Sequence, residues 1–183
     1  MADSKLACHE LLSNFIGECS TWFWTMVQAL AVIITLIFIY KQVRAQRYGN
    51  MLTYSHILRE YWESPRMVQS RKETCKNSKT GNRAIGSEEG NVLSFFEEIG
   101  LLVEKEAVSI EYAWEAYSYF IEYYWMILKP NIEKFRRDTN DDQWYCKFEI
   151  LVGSMEKYAE RKGIRFGNKF DHEVDEFIAE ESK

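Results

Sequence analysis

Proline is nearly absent from this chain: Pro65 and Pro130 are the two in 183 residues. Strand-like alternation is rare as well, so an all-α fold is expected. Histidine is equally scarce. His9, His56 and His172 show no metal-ligand spacing, and Glu-x-x-His does not occur, which speaks against a zinc hydrolase and against a carboxylate-bridged di-iron bundle. The four cysteines are too few and too scattered for a disulfide framework or a zinc site. Gly81 and Gly86 have phosphate-loop spacing, but Ser87 and Glu88 stand where the lysine and the magnesium-binding hydroxyl belong, so no nucleotide is expected there. Cys75 or Cys146 could meet His56 only by folding, with no pattern behind the pairing. No catalytic residue, metal or cofactor is expected, and the chain is not read as an enzyme.

Charge is missing from one long stretch. Between Glu18 and Lys41 there is no Asp, Glu, Lys or Arg, and ten residues of 21–40 are Val, Ile, Leu or Phe. A bilayer core needs about 20 such residues as a helix. At about 0.3–0.6 kcal/mol each, those ten favour insertion by about 3–6 kcal/mol. Trp22 and Trp24 at one end and Tyr40 at the other suit the headgroup level. The segment 21–40 is therefore read as a transmembrane helix. A cleaved signal peptide would need a positive n-region and a small-residue cleavage site. The preceding residues instead carry Asp3, Glu10 and Glu18 against Lys5, and no such site follows.

Charge asymmetry sets the expected topology. Residues 41–83 carry ten Lys/Arg against three Glu, whereas residues 84–183 carry twelve Lys/Arg against twenty-two acids. Lys41, Arg44 and Arg47 directly follow the span, so the C-terminal part should be cytoplasmic and residues 1–20 extracytoplasmic. The three cations are the expected contacts to anionic lipid headgroups, each contributing about 1 kcal/mol near the surface. Cys8 and Cys19 would face the oxidising side, where an intermolecular disulfide is open to them; Cys75 and Cys146 would stay reduced. Within the span, Thr21, Thr25, Gln28 and Thr35 share a face with Val32. Two readings stand. Thr25, Gln28 and Thr35 form a helix–helix contact, worth about 0.6–2 kcal/mol per bond, or the hydroxyls bond back to their own helix.

The remainder, 41–183, is read as one cytosolic helical domain. Apolar residues make up 46% of the chain and aromatics 15%, enough for a proper core and unlike a disordered tail. Residues 5–16 suggest a short amphipathic helix. The membrane helix is expected to continue to about Glu63, since Met51, Leu52, Tyr54, Ile57, Leu58, Tyr61 and Trp62 keep a helical period. Ser64-Pro65 reads as a cap and first turn of a short helix ending near Cys75. Residues 76–90 read as a loop. A helix over 91–105 places Val92, Phe95, Phe96, Ile99, Leu102 and Val103 on one stripe, with Glu97 and Glu98 on its solvated side. Ser109 caps a helix from Ile110 to Lys129 that is aromatic nearly all round and is expected at the centre of the bundle. Its aromatics could stack on nucleic acid, but the local negative charge opposes phosphate, so no nucleic-acid partner is expected. Pro130 should kink or restart it, to about Arg137. Asn140 or Asp141 then caps a helix containing Trp144 and Tyr145 and ending at Gly163. Asp171 caps a last acidic helix with Val174, Phe177 and Ile178 inward.

The segment Val92-Leu93-Ser94-Phe95-Phe96-Glu97-Glu98-Ile99-Gly100-Leu101-Leu102, the aromatic helix ending Leu128-Lys129-Pro130, and Tyr61-Trp62-Glu63-Ser64-Pro65 together resemble a widespread bacterial family of unknown function. Its members are small single-pass membrane proteins with a helical cytosolic domain. The resemblance covers about residues 20–160, implies the anchor and the all-helical fold, and transfers no activity and no site residues. Two functions are carried forward. One is a membrane-anchored interaction, scaffold or regulatory module, such as a defence accessory, with a protein partner or a second copy. The other is an effector that oligomerises in the bilayer and perturbs it.

Overall fold

The computed structural model describes residues 21–81, 84–167 and 169–183. The expected amphipathic helix at 5–16, the extracytoplasmic segment 1–20 and Cys8, Cys19 and His9 lie outside them. Among the described residues every regular element is helical: α1 Thr21–Glu63, α2 Pro65–Lys79, α3 Ser87–Glu104, α4 Ile110–Thr139, α5 Cys146–Lys162 and α6 Asp171–Glu181. The chain divides into two compact units at Gly49/Asn50.

In the first unit, residues 21–49 of α1 bury no side chain, and Leu36, Phe38 and Tyr40 are each more than half exposed. Among the described residues α1 is the helix long and apolar enough to cross a membrane.

The second unit is a helical bundle. The stretch Asn50–Glu63 contributes Leu58 and Trp62 to its core. Ser64 caps α2 as expected, its Oγ accepting from Met67 N at 3.3 Å, and Pro65 takes the first turn, where its missing N–H costs nothing. The expected end near Cys75 and the loop over 76–90 need correction: α2 runs to Lys79 and α3 starts at Ser87. Polar residues at both ends of the expected loop are helical instead, and several are paired across the two helices. Asn77 donates to Glu89 at 2.7 Å, Ser70 to Glu88 at 2.6 Å, and Asn91 to Ser70 at 3.0 Å. A polar network joins α2 to α3 where an apolar stripe would ordinarily do so.

The apolar stripe of α3 is buried as its period predicts: Val92, Phe95, Phe96 and Ile99 are at most 1% exposed. Its closest neighbour is α5, and Gly100 makes the close approach possible. A Cβ there would lie 2.7 Å from the carbonyl carbon of Lys147 and closer still to its oxygen. Ser109 caps α4, accepting from Tyr112 N at 3.2 Å. α4 runs through Pro130 as one helix and ends at Thr139, two residues beyond the expected end near Arg137. Leu128 and Ile132 on either side of the proline are both 1% exposed, so buried packing holds the turns while one ladder bond is forgone.

Two caps differ from expectation. Asn140 does not start α5; it closes α4 in the left-handed conformation, φ 53°, and α5 begins only at Cys146, leaving Trp144 and Tyr145 in the turn. Nor does Asp171 cap α6. It is the first helical residue, and Glu173 reaches back to accept from Phe170 N at 2.7 Å. Gly163 ends α5 at φ 66°, the conformation that favours glycine. Phe177 and Ile178 of α6 are buried, and Val174 is partly so.

Candidate functional site

Trp62 is the hub of the bundle. Phe95 stacks on it at 4.7 Å, and Phe120, Phe96, Tyr117 and Tyr124 surround it at 4.8–6.2 Å. The Arg71 guanidinium lies 4.3 Å over the same ring, a cation–π contact removed from bulk water and so worth more than its surface counterparts. The residues that carry the family resemblance thus meet in space: Tyr61-Trp62 on α1, Phe95-Phe96 on α3 and the aromatic face of α4.

Beside this hub lies a mainly apolar groove of about 300 Å³. Tyr54, Ile57, Leu58 and Tyr61 form one wall, and Ser94, Phe95, Glu98 and Leu102 the other. Ile57 is 53% exposed and Tyr61 41%. An open groove of exposed aromatic and aliphatic side chains with one carboxylate at its rim is a surface for another apolar group.

The paired carboxylates Glu97 and Glu98 separate in role. Glu98 is exposed at the groove. Glu97 turns toward α5, where its Oε2 accepts from Phe148 N at 2.8 Å, so it caps a helix N-terminus from another element and meets the positive end of the helix dipole. Its expected place on the solvated side is corrected: the close α3–α5 crossing at Gly100 brings the first turn of α5 within reach.

The chemistry near the hub does not favour nucleophilic attack. Cys75 is fully buried, its Sγ 3.8 Å from Tyr124 Oη, and burial pushes its thiol up to about 11. Tyr124 is also held well above the usual phenol range by burial. Neither group is poised near neutral pH, as a nucleophile or general base must be. His56 lies with Glu60 on an exposed helix face, 3.4 Å apart. Among the described residues no group of three His, Cys, Asp or Glu converges as a metal site would require.

The predicted membrane residues lie on α1, in the first unit. Thr25 and Thr35 donate to the carbonyls of Thr21 and Ala31, each at 2.8 Å, the pattern expected when hydroxyls bond back to their own helix. Gln28 is exposed on the same face, and its side-chain amide makes no hydrogen bond among the described residues. Along one helix, Thr21, Thr25, Gln28, Val32 and Thr35 fall within about 80° of each other. Lys41, Arg44 and Arg47 are all exposed. The Trp62 hub, the groove and the role of Glu97 had no motif to reveal them. The 3.6-residue period did mark Trp62, Phe95 and Phe96 as core, but not as neighbours.

Residues 25–155 match the model of a family described as a domain of unknown function, DUF4760. No curated protein and no solved structure matches the chain.

Proposed function

The chain belongs to the DUF4760 family, and from that premise we propose that it is a membrane-anchored interaction module, not an enzyme, holding a protein partner at the cytoplasmic face of the inner membrane. One observation carries the reading. Among the described residues, the apolar half of α1 buries no side chain, and the bundle of the second unit has a hydrophobic core of its own. In water that apolar surface would drive aggregation; in lipid it is an anchor. The basic flank Lys41, Arg44 and Arg47 supports a cytoplasmic C-terminal part. The groove lined by Tyr54, Ile57 and Tyr61 supports recruitment of a partner over catalysis, since it is apolar and holds no convergent polar set.

Crosslinking mass spectrometry in native membranes tests this reading. The expected result is a membrane-pelleted chain whose crosslinks to another protein map to the second unit. A chain that stays in the soluble fraction after lysis, or a reconstituted chain that turns over a substrate, overturns it.

Gln28 favours a second reading, the oligomerising effector. Thr25 and Thr35 are satisfied by their own helix, which narrows the polar stripe to one amide that a second helix can pair. Gln28→Leu should then abolish crosslinked oligomers and any permeability change on overexpression. A wild-type chain that is monomeric in native membranes rules this reading out.

A further inference from the structure

The C-terminal helix α6 packs on α2 and α4, and it lies beyond the family match, which ends at residue 155. The surface it covers lies within that match. Phe177 stacks on Tyr123 at 4.6 Å with the rings 9° from parallel, and it meets Tyr124 and Tyr119 edge-on. Four residues on, Glu181 accepts from Tyr124 Oη at 3.0 Å and faces Arg71 Nε at 3.6 Å. The match therefore includes an aromatic groove with an arginine at its end, and a segment outside the match supplies the occupant.

Charge complementarity describes the occupant. α2 carries five Lys/Arg against the single acid Glu73; of these Arg71 faces the α6 carboxylate Glu181, while Lys76 pairs with Glu73 of its own helix. On the other side, α6 carries six acids in eleven residues and no Lys or Arg. The fit is incomplete. Arg71 Nε meets Glu181 at 3.6 Å, an ion pair too long for a hydrogen bond, and Thr74 Oγ1 on the same helix is buried with no hydrogen-bond partner among the described residues. A buried polar group that makes no hydrogen bond weakens the contact that buries it, and an eleven-residue helix has little stability of its own. Such an occupant is exchangeable.

We propose that the groove between α2 and α4 binds an acidic amphipathic helix of a partner protein, and that α6 is its intramolecular stand-in, displaced when the partner binds. The partner helix presents an aromatic residue to Tyr123 and Tyr124, an aliphatic residue beside it, and a carboxylate one turn on that pairs with Arg71. This names the partner class for the interaction reading and rests on that reading. The test below is made in detergent, so its failure leaves the membrane anchor untouched.

The probe is a dye-labelled peptide of residues 169–183, titrated into the full chain in micelles and followed by anisotropy. Phe177→Ala with Ile178→Ala in the full chain, which loosens the resident helix, should tighten peptide binding at least tenfold over wild type. Adding Arg71→Gln should weaken it again at least tenfold, as should raising the salt from low to molar concentration. No gain on loosening α6, or no loss with Arg71→Gln, overturns the proposal. Hydrogen exchange of the wild-type chain decides the matter even if the variants unfold. Saturating peptide should raise deuterium uptake across residues 171–181, and unchanged uptake overturns the proposal. Peptide that instead dissociates a wild-type dimer identifies the occupant as α6 of a second copy and overturns the partner assignment.

Discussion

Replacing Gly100 by alanine should destabilise the bundle, and the same change at Gly90, ten residues earlier in the same helix, should stabilise it. Both glycines lie inside α3, where alanine is favoured over glycine by about 1 kcal/mol through backbone entropy. At Gly90 no atom lies within 4 Å of the new Cβ, so that gain is realised. At Gly100 the Cβ would sit 2.7 Å from Lys147 C and 3.2 Å from Lys147 Cβ. Neither α3 nor α5 can relieve this by rotating a side chain, because the obstructing carbonyl is backbone. The two helices must separate by the better part of an ångström. That loosens two further contacts at the same crossing: the Glu97 cap on Phe148 N and the 2.9 Å pair between Lys147 and Glu104. Overpacking of a close crossing costs about 3 kcal/mol, leaving a net loss of about 2 kcal/mol after the alanine gain. For a bundle of this size that lowers the melting temperature by about 6–8 °C, whereas Gly90→Ala should raise it by about 3–4 °C. Thermal unfolding of the full chain in micelles, followed by near-ultraviolet circular dichroism from its tryptophans, measures both. A Gly100→Ala chain as stable as wild type would refute the close crossing on which the placement of Glu97 depends.

Glu97→Ala should cost about 1–2 kcal/mol through the lost cap on α5, while Glu98→Ala should change stability by less than about 0.5 kcal/mol; urea titration of the two neighbours separates capping from solvated carboxylate. Cys75 gives a pH dependence. Both states keep the thiol protonated below about pH 9. Between there and about 11 the unfolded chain releases the proton and the folded chain does not, so the native state loses up to about 2–3 kcal/mol over that window. Comparing the alkaline unfolding of wild type with Cys75→Ala checks this, and a parallel loss in both chains would show that the thiol is not responsible. Changing Lys41, Arg44 and Arg47 together to Glu should weaken insertion or invert topology; unchanged orientation in a dual-reporter fusion would count against the charge argument.

What could be read along the chain was whatever is written in neighbouring residues. The helix caps at Ser64 and Ser109 and the stop at Gly163 involve partners three or four residues away, so their signals survive in sequence. The apolar faces of α3 and α4 are likewise a matter of period. The polar stretch 76–90 misled because Asn77, Ser87 and Glu88 have the composition of a loop. Their actual state depends on Ser70, Glu89 and Asn91 across an interhelical gap. The turn before α5 misled for a related reason: Asn140 can start a helix or end one, and the residues around it do not say which.

Composition and periodicity by themselves determined that this protein is all-helical, that residues 21–40 are apolar enough to cross a bilayer, and that the stripe Val92, Phe95, Phe96 and Ile99 is core. These properties depend on local backbone preference and on the transfer of side chains from water, which need no knowledge of the partner. Only the tertiary structure decided that Glu97 caps α5 fifty-one residues away, that Gly100 is where α3 and α5 touch, and that Tyr124 meets Glu181 across fifty-seven residues. Periodicity shows that a face is buried but not what buries it, and polar groups that satisfy one another across helices have the same sequence signature as polar groups facing water.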